Sequence, residues 1–390
     1  MVHDGGLTAG ITFIRMTKDN SLTDATENSV IQGAQQEESL PNDVIPPNKL
    51  TLEIIKKCFN KCVHCSAFVS EEDSKKVMTE DKAMGVVDQF SGMGGVTLNL
   101  TGGEPLLHPH LFDIAKYAKK KNLKVGLFTC GKFSEGAPTK EEQSTIIEKI
   151  VETEFDNIEM ALHAPSAEMH DSITDVPGSF KRIYQFIKEL ASRTDRLEIN
   201  FVPMQINAEE LPEVVQFVAS LGVRELNVLR FMAQGRGREN KEWLYLTNAQ
   251  MVRLSKVALQ LMNERGKNPN IRIGHPGDFT FLVDKKRIPD PCSAGISQCM
   301  VKVNGDVIPC PAFGELPEWV AGNAFSDTLS HVWNESQIFF SLRKFNPRNL
   351  RGKCRRCRSL KLCRGRCPAE RIRQNRDLYE GPDPGCPKAE

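Results

Sequence analysis

No stretch of the 390 residues is apolar for long enough to cross a bilayer, and no charged start leads into an apolar core and a cleavage site. The first absence argues against a helical membrane span and the second against a secretory leader. Neither sign of charge is in excess: 51 Lys and Arg against 50 Asp and Glu leave a net +1. Attraction to membranes or nucleic acid is therefore not a property of the whole chain. Cysteine is nearly missing from the long middle, where Cys130 stands alone; the other eleven of the twelve cluster towards the two ends. A secreted disulfide scaffold is a small chain with cysteines throughout, so this distribution points instead to reduced thiols serving as metal ligands in the cytoplasm. The length is ample for two domains, and 40% hydrophobic with 26% charged residues is ordinary for a globular protein.

The first cysteine group is Cys58-Phe59-Asn60-Lys61-Cys62-Val63-His64-Cys65, a C-x3-C-x2-C loop after the apolar run Leu50 to Ile55. Three thiolates on one short loop can take three corners of a cubane iron-sulfur cluster and leave its fourth iron open, as catalytic zinc sites keep one position open. Half of a zinc site with a distant fourth ligand is the competing reading. Further on, Leu98-Asn99-Leu100-Thr101-Gly102-Gly103-Glu104-Pro105 is an apolar strand ending in a Gly-Gly-Glu turn. Its glycines let backbone approach a ligand, and the carboxylate can accept hydrogen bonds from an ammonium group.

Together the loop and the turn resemble the radical S-adenosylmethionine (SAM) superfamily. The resemblance implies that Cys58, Cys62 and Cys65 hold a [4Fe-4S] cluster whose open iron binds SAM, and that Gly102, Gly103 and Glu104 receive the SAM amino group. It also implies an α/β fold, a six-stranded partial (β/α)6 TIM-like barrel with its chemistry at the carboxyl ends of the strands.

The chain in order agrees with that expectation. Residues 1–47 are polar, with a lone apolar patch from Ile11 to Met16, and read as a flexible segment, too short and polar for the winged-helix peptide-recognition module of some relatives. From Leu50, strands near 50–55, 96–101, 124–129, 157–162, 197–203 and 225–231 alternate with helices near 79–92, 110–121, 140–153, 178–192 and 209–220. Such strand-helix-strand crossovers build a curved parallel sheet. The barrel is expected over 48–285, with a further helix near 248–264 and a short strand at Ile271 to Ile273.

Candidate SAM contacts follow from the strand ends. His163 and Ser166 close the fourth strand as ribose contacts, Asn200 in the fifth offers an amide that SAM would satisfy, and Arg230 in the sixth offers a bidentate donor for a carboxylate. The segment from His170-Asp171 to Gly178-Ser179-Phe180 is similar to a family segment, but Thr174 stands where relatives frequently carry a basic residue and Asp175 where they carry glycine. How the SAM carboxylate is held is thereby open. Cys130, at the end of the third strand, reads first as a packing residue; facing the radical site, its thiol could instead quench or relay a radical.

The second domain is expected over 286–390, with eight cysteines: Cys292, Cys299, Cys310, Cys354, Cys357, Cys363, Cys367 and Cys386. Asn304-Gly305 between two alternating runs marks a hairpin. Two zinc sites would suit four-cysteine spacing as well as two clusters. The set resembles the SPASM extension of radical SAM enzymes, a small α+β module with two auxiliary [4Fe-4S] clusters. That resemblance implies one cluster on Cys292, Cys299, Cys310 and Cys367 and another on Cys354, Cys357, Cys363 and Cys386. Arginine crowds the module from Arg343 to Arg376; without interleaved aromatic residues this reads as charge compensation for the clusters, and nucleic acid is not an expected partner.

The resulting expectation is an enzyme that reductively cleaves SAM to a 5'-deoxyadenosyl radical and oxidises a peptide or protein side chain, with a flavodoxin- or ferredoxin-type electron donor. Oxidation of a tetrapyrrole or other small molecule is the alternative, and a non-catalytic electron carrier a third reading, though a carrier has no use for an open iron.

Overall fold

A computed structural model describes residues 44–67, 72–264, 269–274 and 278–388. Most of the expected flexible segment, through residue 43, and linker residues Pro276 and Gly277 lie outside these. The elements run β1 (Lys49–Ile55), α1 (Glu80–Gly92), β2 (Thr97–Gly102), α2 (Leu111–Lys120), β3 (Lys124–Thr129), α3 (Lys140–Glu152), β4 (Asn157–Ala161), α4 (Ala167–Thr174), α5 (Ser179–Ala191), β5 (Leu197–Phe201), α6 (Leu211–Ser220) and β6 (Glu225–Val228). After the short helices α7 (Arg236–Glu239) and α8 (Lys241–Leu244) come α9 (Asn248–Asn263) and β7 (Asn270–Ile273). The carboxyl-terminal part adds β8 (Gln298–Val301), β9 (Asp306–Ile308), β10 (Gly322–Asn323), α10 (Leu329–Glu335), α11 (Gln337–Arg343), α12 (Leu360–Cys363) and α13 (Pro368–Asn375).

Strand identity follows from alternation. In β1, Leu50, Leu52 and Ile54 are fully buried in the main core, while Glu53, between two of them, is buried on the other face and accepts from the Val303 amide at 3.1 Å. Helix α5 buries Ile183, Phe186, Ile187 and Leu190, spaced as one helical face, each worth about 1.5–3 kcal/mol of transfer free energy. Thr139 and Glu142 close a reciprocal capping box at the start of α3, and Thr79 caps α1.

The six expected parallel strands, β1 to β6, are all present, and the sheet continues past both edges in the order β10-β9-β8-β1-β2-β3-β4-β5-β6-β7. Strand β7 is parallel to β6, and β8 is parallel to β1 in the register Leu50↔Cys299. The hairpin of the cysteine module therefore extends the barrel sheet, and the backbone hydrogen bonding does not break at residue 286. Strands β5 and β6 stop at Phe201 and Val228, earlier than their apolar runs suggest; Pro203 removes a donor just beyond the first. No helix among the described residues is long and apolar enough to cross a membrane.

Candidate active site

The cysteine loop leaves β1 and is pinned from three sides. Lys61 and Val63 donate their amides to the carbonyls of Thr174 and Ile173 at the end of α4. Arg236 Nε donates to Cys62 O at 2.9 Å, and Asn240 Nδ2 to Val63 O at 2.8 Å. The segment after β6 thus clasps the loop. Burial pushes the Cys62 and Cys65 thiols up, and the neighbouring Cys58 and Cys65 push Cys62 further. Cys58 goes the other way, lowered chiefly by a hydrogen bond from the Cys130 thiol. Cys130 is therefore in contact with the loop.

The Gly-Gly-Glu turn meets the tail of β1. A β-carbon on Gly102 would stand 2.2 Å from Ile55 O, and one on Gly103 2.3 Å from Lys56 O, so only glycine permits this approach. The amides of Gly103 and Glu104 donate to Ile55 O and Lys57 O, both at 2.7 Å. Glu104 is fully buried; Oε1 accepts from Leu106 N at 3.0 Å and Thr129 Oγ1 at 2.5 Å, and Oε2 from Cys130 N at 2.7 Å. Its carboxylate brackets β2 to β3. Burial pushes its pKa up against these bonds.

The other strand-end candidates divide. His163 is 4% exposed, and its ring lies 4.4 Å from that of His64 and 5.3 Å from that of His170. Burial holds His163 well below its usual value and His170 at about 4, so both are neutral near pH 7. Ser166 caps α4, accepting from Met169 N at 3.4 Å.

Asn200 needs no ligand to satisfy it: its amide donates to Glu159 Oε2 at 2.9 Å and accepts from Asn227 Nδ2 at 3.0 Å, within a polar ladder on one face of the sheet. Arg230 is likewise reassigned. It lies beyond the end of β6, and its guanidinium makes a bidentate pair with Asp383 at 2.7 and 2.5 Å, both side chains being almost fully buried. That fork is spent inside the protein.

One pocket beside the loop is lined by Asn60, Cys130, Lys132, His163, Thr174 and Arg182, among others. Three buried atoms of these residues have no hydrogen-bond partner among the described residues: Asn60 Oδ1, His163 Nδ1 and Arg182 Nη2. Thr174, in the position expected to be basic, is itself buried and bonded to Ser179 Oγ at 2.5 Å. Arg182 went unnoticed in the sequence because it enters from α5. The His170-Asp171 segment sets that helix: Asp171 accepts from Gly178 N at 2.5 Å, Phe180 N at 2.7 Å and Ser179 Oγ at 2.8 Å. Asp175 takes a left-handed backbone, φ 50°, a conformation that glycine adopts without strain.

Residues 52–218 match the radical SAM superfamily, and residues 292–358 match SPASM, an iron-sulfur cluster-binding domain. The chain carries a radical SAM domain followed by a SPASM domain. It is similar to an AdoMet-dependent heme synthase of Methanosarcina barkeri, 28% identical over 86% of this chain and 95% of the relative. A mycofactocin maturase of Mycolicibacterium smegmatis is 27% identical over 87% of this chain and 82% of its own length. The PqqA peptide cyclase of Rhizobium meliloti is 24% identical over 92% of both. Among solved structures, Streptococcus suis SuiB bound to its precursor peptide SuiA superposes with a TM-score of 0.70 at 19% identity, covering 88% of this chain and 76% of that one, which shows the fold.

These two domains make the chain a radical SAM enzyme, with SAM, a [4Fe-4S] cluster and the auxiliary clusters of a SPASM domain as cofactors. The residues fit that donor set. The three cysteines follow directly on the backbone that bonds the Gly-Gly-Glu turn, and Asn60 between them carries one of the unpartnered polar atoms of the adjoining pocket. In the module, Cys310 feels the charge of Cys292 and Cys367 that of Cys310, whereas Cys354 feels Cys386 and Cys357, and Cys363 feels Cys386. Burial, the largest cause, pushes Cys310 up to about 12 and Cys354 and Cys363 to about 11, a cost that iron coordination would offset.

Cys299 is not brought to its expected partners. Its side chain lies in the main core, on the opposite face of β8 from Met300, and burial pushes its thiol up to about 12. The expected charge compensation is divided: Arg366 and Arg371 are buried and act on Cys292, while Arg355, Arg356, Arg358 and Arg364 are exposed.

Proposed function

We propose that the chain oxidises a side chain of a peptide or protein, with Cys58, Cys62 and Cys65 holding the SAM-binding cluster in a barrel spanning about residues 48–285. The observation that carries this is the pinned three-thiol loop beside the Gly-Gly-Glu turn and a pocket of unpartnered polar atoms. When bound, the cluster and SAM supply reductive cleavage to a deoxyadenosyl radical. The chain's own residues do the rest. Gly102 and Gly103 let the SAM-binding edge approach the β1 tail, and Glu104 fixes that edge to β3. Arg182 offers its unpartnered Nη2 to the SAM carboxylate in place of the missing basic residue at 174, and His163 and Asn60 offer polar contacts. Peptide chemistry is supported by the maturase and cyclase relatives.

Anaerobically reconstituted protein is expected to hold about twelve irons if all three clusters have four. Reduced with SAM it should release 5'-deoxyadenosine, and the Cys58→Ala/Cys62→Ala/Cys65→Ala variant should not. Equal release from that variant would contradict the assignment. Co-expression with a candidate peptide should change the peptide's mass. The similarity to the heme synthase along 95% of that relative favours a second reading, a porphyrin-type substrate, which an unchanged peptide and an oxidised tetrapyrrole would select.

The electron donor we infer is a reduced acidic carrier of flavodoxin or ferredoxin type, in the cytoplasm, where thiols stay reduced. Exposed Arg355, Arg358 and Arg364 share a cavity of about 930 Å³ with Cys357 and Cys363 and give such a carrier a basic face. Its reduction rate should fall with rising salt and fall again in Arg355→Glu/Arg358→Glu. A salt-independent rate would remove the electrostatic dock.

A further inference from the structure

Strand β8 has two faces, and they lead to different places. Cys299 and Val301 point into the main core, among residues that include Leu50, Leu52, Val307, Trp333 and Phe339; Cys299 is 2% exposed. Met300 and Ile308 point the other way, into a separate cluster formed with Cys367, against which Cys292 and Cys310 also pack. Alternation along a strand puts neighbouring side chains on opposite sides of the backbone, and only a one-residue slip could exchange them. The register is fixed on both flanks, by Leu50↔Cys299 on β1 and by Met300↔Ile308 and Val301↔Val307 on β9. A slip would also expel Val301 and Val307 from the core. The thiol of Cys299 is therefore separated by the sheet from the three cysteines with which it was expected to share a cluster.

No other cysteine is left to replace it. Cys354, Cys357, Cys363 and Cys386 make up the other expected set, and Cys130 follows β3, where its amide donates to Glu104 Oε2 at 2.7 Å. On the face of the hairpin that carries Met300 and Ile308, a cavity of about 220 Å³ runs to Ser66 and Ala67, just after Cys65, with Gln234 and Pro311 also in its lining. Its wall includes Met300 and Ile308, the residues that pack in one cluster with Cys367.

We infer that the barrel-side auxiliary site is held by three thiolates, Cys292, Cys310 and Cys367, that Cys299 is a core residue, and that the fourth iron takes an exchangeable anionic donor from outside the cysteines. This rests on the iron-sulfur reading of the module. The molecule would then carry two open irons, one for SAM and one facing a second ligand. A substrate thiolate is the donor class best matched to iron of this kind.

The test uses the full-length Cys58→Ala/Cys62→Ala/Cys65→Ala chain, reconstituted anaerobically, so that only auxiliary clusters remain. It should hold about eight irons. Adding Cys299→Ala or Cys299→Val should leave the iron content and both reduced-cluster resonance signals unchanged, whereas adding Cys292→Ala should remove about four irons. Cyanide should shift the signal of one auxiliary cluster and not the other, with or without Cys299. Loss of iron in Cys299→Ala but not in Cys299→Val marks a packing defect and agrees with a core role. Loss of about four irons in both, or two clusters indifferent to cyanide, overturns the inference. Zinc instead of iron in the parent chain fails the cluster reading itself, a result distinct from either.

Discussion

The guanidinium of Arg182 stands for a general point about single residues in this site: what matters is which polar atom lacks a partner. Lys132 lines the same pocket but donates to Ser134 O and Glu135 O at 3.0 and 2.9 Å, so its charge is already engaged. Among the described residues Arg182 donates only a long bond, 3.4 Å from Nη1 to Pro177 O, and keeps Nη2 buried and unpartnered. A charge-assisted hydrogen bond is worth about 1.5–3 kcal/mol, so Arg182→Ala should weaken SAM binding roughly ten- to a hundredfold. The measurement is the SAM dependence of 5'-deoxyadenosine release, read beside the SAM-induced change in the reduced cluster's resonance signal. Arg182→Lys should recover part of the loss. An unchanged KM for SAM in Arg182→Ala would show that the carboxylate is held elsewhere. Nothing in the sequence marked Arg182, because its reach depends on the α4–α5 turn that Asp171 and Gly178 set.

At the scale of elements, alternation and helical periodicity sufficed wherever one face is buried. That is why β1 to β6 and their helices were legible. Where chain direction depends on a contact far away in sequence, it was not. The face on which Cys299 lies follows from pairing with β1, some 250 residues earlier, as the Glu53 to Val303 bond of the same junction shows. The Gly-Gly-Glu turn was legible as a motif but not in its mechanics, since its glycines first serve the contact between β2 and the β1 tail. Gly103→Ala tests this. Its β-carbon would meet three backbone atoms of Lys56 and Lys57 within 2.6 Å, none of which can rotate aside. Overpacking of this kind costs about 1–3 kcal/mol, and here the upper end is expected. The variant should melt lower even without cofactors and should lose the SAM-induced cluster signal. Normal melting with lost SAM response would mean that the glycine serves only the ligand.

Across the whole molecule, the barrel and the cysteine module are joined by buried charge as well as by the shared sheet. Arg230 and Asp383 pair at the centre; Asp383 also accepts from Cys367 N and Gly385 N, both at 2.9 Å. Beside them Tyr245 donates to Glu370 at 2.7 Å, and Arg373 bridges Glu370, Gln234 and the Ala312 carbonyl. A residue that sequence reading assigned to SAM is thus a joint between the two iron-sulfur regions, one carboxylate away from the Cys367 amide. Partners 153 positions apart leave no local pattern to read. Desolvation makes such a pair weak evidence for net stability, yet removing one member strands the other charge, at about 3–5 kcal/mol. Asp383→Ala should therefore lower the melting temperature and release iron from the module while the Cys58, Cys62 and Cys65 site still loads. Arg230→Met/Asp383→Leu, which removes both charges, should recover most of the melting temperature. If Asp383→Ala alone leaves both melting and iron content unchanged, the joint lies in the β1–β8 pairing instead, and Arg230 becomes available to a ligand once more.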